Sequence, residues 1–193
     1  APVLHVMDSG QRIALAMRKL TGLIESACAG LGKDVQMAPI LAETLRNLYD
    51  GVPIDEVYKA SIMATRTLIE SEPYYTYVTA RWLLHTIRRE VLGGEVAQEE
   101  MGVRYAEYFP KFIKKGVENE LLDEKMMEFD LSRLGAALKH EQELKFDYLG
   151  LQNLYERYFL NVRKTRIELP QAFFMRVSMG LALQEADREA RAI

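Results

Sequence analysis

DYLGLQNLYERYFL-NVRKTRIE-LPQAFFMRVSMGLAL, running from Asp147 to Leu183, sets the fold class. Two apolar patterns flank a short basic connector. In the first, Leu151, Leu154, Tyr155 and Tyr158 recur at i, i+3, i+4 and i+7, the spacing of one helical face. In the second, Pro170 suits a first helical turn, where its missing N–H costs nothing. Phe173, Phe174, Val177 and Leu181 then repeat at helical spacing, and Gly180 would let another element approach closely. The expectation is two packed helices of a larger core. The connector Arg163-Lys164-Thr165-Arg166 could meet phosphate, but no motif makes it a site, and it reads as a solvated loop.

Working outward, the N-terminal part is also mainly helical. Val3–Val6, the turn Asp8-Ser9-Gly10 and Arg12–Leu15 read as a β-hairpin. Met17, Leu20, Ile24, Ala27 and Leu31 form a first helical stripe, ended by Gly30 and Gly32. A second helix carries Met37, Ile40, Leu41, Thr44, Leu45 and Leu48 and closes at Tyr49-Asp50-Gly51. Pro53 and Asp55 open a third, with Val57, Ala60, Ala64 and Leu68 on one face. Ser71-Glu72-Pro73 caps a fourth, Tyr74–Leu92, whose wide apolar stripe predicts burial on more than one side. Gly93-Gly94 and the acidic Glu95–Glu100 read as a linker, giving domains 1–94 and 95–193. Beyond it, Met101, Tyr105, Tyr108, Phe109 and Phe112 follow a helical stripe, in which Pro110 should break or restart the helix. Leu121–Leu138 reads as two short helices around Phe129-Asp130.

Composition excludes several classes. The 193 residues carry a net charge of −3, 49% apolar and 27% charged residues, ordinary for a globular chain. An acidic balance with interspersed signs, as around Lys111, Lys114 and Lys115, argues against nucleic acid. No apolar run is long enough for a membrane span, and no secretory signal opens the chain. Cys28 is the single cysteine. It falls on the first helical stripe, reads as a buried small hydrophobe, and fits a reducing cytoplasm. The three histidines, His5, His85 and His140, complete neither H-E-x-x-H nor Glu-x-x-His. Gly30-Leu31-Gly32-Lys33 lacks the rest of a P-loop, and no G-x-S-x-G or G-x-G-x-x-G is present.

GLQNLYERYFL and LPQAFFMRVSMGLAL resemble the helices that precede the catalytic barrel in the large (α) subunit of class I ribonucleotide reductase. The resemblance continues more weakly to the N-terminus. It implies a parent enzyme that reduces ribonucleoside diphosphates to deoxyribonucleotides in the cytoplasm, with a radical-generating small subunit and the barrel as partners, and a homo-oligomeric assembly. The family route needs a cysteine pair and a third thiol, so the resemblance implies a non-catalytic N-terminal fragment that stops in mid-pattern at Ala192-Ile193. A free-standing helical protein-interaction module is the alternative.

A hairpin followed by four helices resembles the ATP-cone, the regulatory module of many such reductases. Asp50-Gly51 with Ile54–Leu68 and Tyr77-Val78-Thr79-Ala80-Arg81 carry that likeness. A working cone has a basic pair before its first turn, where this chain has His5-Val6-Met7. The family histidine falls at Tyr58 and a family threonine at Ile54, whereas Lys19 falls on a family lysine. Losing the basic pair removes about 3 kcal/mol of charge-assisted contacts, roughly 100-fold in affinity. The expectation is a degenerate cone with no bound cofactor, which could follow an active cone upstream. Should ATP or dATP still bind as allosteric effectors, Arg12, Arg18, Lys19 and Arg88 are the candidate contacts. The fold expected overall is mainly α: a hairpin plus four-helix cone-like domain, then an irregular helical domain.

Overall fold

The computed structural model describes residues 3–193. They form two compact units. One runs to Thr86 and takes in Phe146–Leu149; the other comprises Ile87–Lys145 and Gly150–Ile193.

In the first unit, β1 (His5–Asp8) and β2 (Gln11–Ala14) pair antiparallel through the expected turn. Ser9 and Gly10 both adopt positive φ there (51° and 80°), the geometry of a two-residue hairpin loop. Four helices follow: α1 (Met17–Cys28), α2 (Met37–Arg46), α3 (Ile54–Thr67) and α4 (Tyr75–Leu92). One strand was missed. Val52–Pro53, here β3, pairs parallel with β1, so the hairpin is part of a three-stranded sheet in the order β2-β1-β3. Two residues carry no readable alternation, and only the closing of α2 back onto His5, through Gly51 N–H to its carbonyl at 2.8 Å, creates the pairing.

The core of this unit gathers Val6, Leu20, Ile24, Ile40, Val57, Val78 and Trp82, all 3% exposed or less. Cys28 lies half-buried at its edge, and burial pushes its thiol up to about 11. Arg81 donates to the carbonyls of Ala27 and Ala29 at 3.0 and 2.8 Å, satisfying free acceptors at the end of α1. The division between the two compact units falls inside α4, between Thr86 and Ile87, seven residues before Gly93-Gly94, which follow the last turn of that helix.

In the second unit, α5 (Met101–Glu118) runs unbroken through Pro110, contrary to the expected break. A proline there leaves the Ala106 carbonyl without its helical donor. That carbonyl faces Gly135 of α6 (Leu131–Ala137), where an added Cβ would lie 3.5 Å from it and 3.3 Å from Phe109 Cβ. Burial of Tyr105, Phe109, Phe112 and Ile113 on the same helix, each 2% exposed or less, offsets the lost bond. Before α6 lies a short 3-10 turn, Glu124–Glu128, and Asp130 caps α6 by accepting from Arg133 N–H at 3.0 Å. These are the two short helices expected around Phe129-Asp130.

The deciding stretch is helical as expected, with two corrections of face. α7 (Tyr148–Asn153) continues into a π-turn, Leu154–Tyr158, closed by Phe159 N–H on the Leu154 carbonyl at 2.9 Å. The wider turn rotates the stripe, leaving Leu151 fully buried but Tyr158 57% exposed. The basic connector is a hairpin, β4 (Asn161–Val162) with β5 (Thr165–Arg166). In α8 (Pro170–Ala182) the buried residues are Pro170, Ala172, Met175, Met179 and Ala182, while Phe174, Val177, Leu181 and Gly180 are exposed. The helix is apolar on both sides, so periodicity alone selected the wrong stripe. α9 (Arg188–Ala192) ends the chain's described structure.

The β4–β5 loop offers a direct test. Arg163 and Lys164 sit at φ 50° and 68°, positions that favour Asn and Gly. Replacing the pair, Arg163→Asn with Lys164→Gly, should stabilise the unit by about 1 kcal/mol, after allowing for the larger unfolded-state entropy of glycine. Urea denaturation followed by circular dichroism measures this, and a destabilised double variant would refute the turn assignment.

Candidate functional site

A cleft beside the hairpin is bordered by Lys19, one of the four candidate nucleotide contacts. It is lined by Val6, Asp8, Ile13, Leu15, Lys19, Leu20, Leu23, Ile54, Val57 and Tyr58 among others, and holds about 60 Å³. Small-molecule sites start near ~300 Å³. Tyr58 closes the floor, 2% exposed, its ring 5.0 Å from that of His85 and 6.0 Å from that of Trp82. The lining is largely apolar, and Asp8 adds a carboxylate where phosphate would need donors.

The four sequence candidates are not brought together. Lys19 borders the cleft, and its side chain is exposed. Arg18 is exposed and has no ion-pair partner among the described residues. Arg12 is engaged by Asp50, which also accepts the backbone N–H of His5 at 2.8 Å and meets its ring Nδ1 at 3.0 Å. The His5 backbone bond is the first cause that holds the Asp50 carboxyl below its usual range. Asp50 therefore clasps the hairpin to the loop after α2.

Arg88 is the clear correction. It belongs to the second unit, is 6% exposed, and donates to Gln98 Oε1 at 2.6 Å and Glu143 Oε2 at 2.5 Å. A guanidinium already buried against a carboxylate is not open to a phosphate. Arg88 is a candidate only through the resemblance to the cone, and the sequence holds no sign of Glu143, which lies in a polar connector, Glu141-Gln142-Glu143.

Glu143 organises a buried polar network. It accepts from Arg88, from the Tyr105 hydroxyl, and from the Gln171 N–H at 3.3 Å, in the first turn of α8. No side chain of Leu169 can cap that helix, so the carboxylate of another element does so. Tyr108 adds a second tie, donating to the Ile167 carbonyl at 2.5 Å and accepting from Leu169 N–H at 3.1 Å. Burial pushes both tyrosine hydroxyls well above the ordinary phenol range.

Glu168 anchors the β4–β5 hairpin. It is fully buried, accepts from Leu160 N–H at 3.1 Å, and is paired to Arg176. On the other side of the hairpin, Glu90 accepts from Arg166 N–H and from the Tyr155 hydroxyl, both at 2.7 Å. Burial raises the Glu168 carboxyl above its ordinary 4.5, against the opposing pull of Arg176. Between that ordinary value and the raised one, the folded state holds a proton that the unfolded chain has released. The resulting stability is fully present below the unfolded value of 4.5 and is lost as pH rises through the raised folded value. Asp50 and Glu189 shift the other way and act at lower pH. Glu168→Gln should flatten the decline above pH 4.5. Urea midpoints measured across that window test this; an unchanged slope would place its source elsewhere.

A second cleft, of about 420 Å³ between α2 and α3, has Lys59 as the one cation in its lining. That ammonium is paired with Glu56 at 2.8 Å. Among the described residues no group of three or more His, Cys, Asp or Glu could hold a metal ion. Among the described residues no helix is long and apolar enough to cross a membrane.

Residues 144–193, which include the β4–β5 hairpin and α8, match the family described as ribonucleotide reductase, all-alpha domain. The similarity extends over nearly the whole chain. It is 36% identical over 184 residues, 95% of this chain, to the ribonucleoside-diphosphate reductase subunit alpha of Chlamydia trachomatis. It is 31% identical over 141 residues, 72% of the chain, to that of Helicobacter pylori, and 27% identical over 92% of the chain to the large subunit of Danio rerio. The chain spans 18%, 17% and 22% of the lengths of these relatives. It thus resembles part of the large (α) subunit of ribonucleoside-diphosphate reductase, as the Asp147–Leu183 stretch implies.

Proposed function

We propose that this chain is a non-catalytic regulatory scaffold segment of a ribonucleotide reductase large subunit, with a cone-like first unit that is silent toward nucleotide. The observation that carries the reading is the 36% identity to reductase alpha subunits across 95% of the chain, combined with a first-unit cleft of only about 60 Å³. The parent enzyme reduces ribonucleoside diphosphates to deoxyribonucleotides in the cytoplasm, with the catalytic barrel and a radical-generating small subunit as partners and a homo-oligomeric assembly. A single cysteine, half-buried and with a raised pKa, supports a segment that supplies no thiol chemistry of its own.

Calorimetric titration with dATP, then ATP, with magnesium at ~0.1 M salt, tests the silent cleft. No heat is expected up to about 1 mM nucleotide, since apolar walls and a filled floor replace the donors a triphosphate requires. Micromolar binding abolished by Lys19→Ala would overturn the silent reading, because Lys19 borders the cleft. The competing reading, a free-standing interaction module, is decided by the gene beyond Ile193: a stop codon there sinks the reductase assignment.

A further inference from the structure

We infer that Glu143–Tyr148 is a strap, held at both ends on α4, that passes a displacement at Tyr148 to the carboxylate capping α8. The inference stands independently of the reductase reading.

One end of the strap is Tyr148, 7% exposed. Its N–H donates to Thr76 Oγ1, in the first turn of α4, at 3.1 Å, and Arg66 of α3 lies 5.6 Å over its ring. Phe146–Leu149 accordingly belongs to the first unit, although Lys145 and Gly150 on either side belong to the second. The other end is Glu143, 1% exposed. It accepts from Arg88, further along the same helix, and from Gln171 N–H in the first turn of α8.

These anchors leave the strap no slack. Thr76 and Arg88 both lie on α4, and the helix rises about 18 Å from one to the other at ~1.5 Å per residue. From Glu143 the chain first completes the 3-10 turn His140–Lys145, at ~2.0 Å per residue, and then extends to Tyr148 at ~3.6 Å per residue or less. Its greatest reach is therefore about 15 Å, and the Arg88 side chain bridges the remainder. Beyond Tyr148, the fully buried Leu151 fixes the chain again. A flexible linker would absorb movement, whereas this segment has no spare residue to do so. The consequence is regulatory. Whatever shifts α3 or the first turn of α4 loosens or tightens the first turn of α8, with no nucleotide required in the cleft.

Residue-resolved amide exchange of the 193-residue chain tests the strap. Thr76→Val removes the acceptor and keeps the shape. It should speed exchange at Tyr148 N–H and, through the strap, at Gln171 N–H, each about fivefold, the worth of one ordinary hydrogen bond. Glu143→Gln should speed Tyr148 in return, because coupling between two sites is reciprocal. Leu20 N–H and Leu134 N–H, bonded to the Ala16 and Asp130 carbonyls, should keep their rates. Inserting Gly-Gly after Phe146 gives the strap slack, and Gln171 should then ignore Thr76→Val. An unchanged Gln171 rate in Thr76→Val overturns the strap. So does a rise shared by Leu20 and Leu134, which marks general loosening. A Gln171 response that survives the insertion also overturns it, by routing the coupling along α4 alone.

Discussion

Glu143→Ala should cost about 3–5 kcal/mol of stability, because it strands the Arg88 guanidinium in the interior. Arg88 and Glu143 are 6% and 1% exposed, so neither end reaches bulk water when its partner is gone. The same change removes an acceptor from the Tyr105 hydroxyl and from the first-turn N–H of Gln171. Total stabilities of about 5–15 kcal/mol leave little margin for such a loss. Glu143→Gln should cost less, since a carboxamide oxygen still accepts from Tyr105 and Gln171. The double variant Arg88→Met with Glu143→Leu should recover the part of the loss that comes from the stranded guanidinium, while Tyr105 and Gln171 still lack the Glu143 acceptor. Urea midpoints for the three proteins decide the matter. A Glu143→Ala loss below about 1 kcal/mol would mean that the pair is solvated and that α8 needs no borrowed cap.

Tyr58→Ala is expected to cost about 3–4 kcal/mol, the scale of truncating a buried aromatic side chain. The ring lies among Val57, Trp82 and His85, and its removal leaves a void where the cleft floor now stands. Trp82 is the single tryptophan of the chain and 1% exposed, so its emission should shift to the red as water enters. The variant also separates two reasons for a silent cleft. If Tyr58 alone blocks nucleotide, dATP should bind the variant and raise its melting temperature by mass action. If the missing donors matter as well, the variant should be destabilised and still give no heat. The second outcome is expected, because deleting a ring adds volume but no cation beside His5-Val6-Met7.

The regular elements were legible because local chemistry specifies them. Asp8-Ser9-Gly10 forces a hairpin turn, Pro170 opens α8, and the stripes of α1 to α4 carry the period of a helix. The β3 pairing, the continuity of α5 and the buried side of α8 were not. Val52–Pro53 is a strand only because β1 lies beside it. Pro110 is tolerated because packing on α5 and the close approach of Gly135 outweigh one lost hydrogen bond. α8 has two apolar sides, and periodicity does not say which one meets the core.

The candidate site divides in the same way. Lys19 at the cleft and the absence of basic residues before the first turn could be read from sequence, since both are matters of residue type at a position. The burial of Arg88 against Glu143 and of Glu168 against Arg176 is not legible in sequence, because the role of a charge depends on what faces it across the fold. The sequence by itself determined helical content, the turns and the lack of Lys or Arg in His5-Val6-Met7, all set within a few residues of one another. Only the tertiary structure decided which carboxylate neutralises Arg88, what caps α8 and which apolar face stays exposed, because these depend on contacts between residues far apart along the chain.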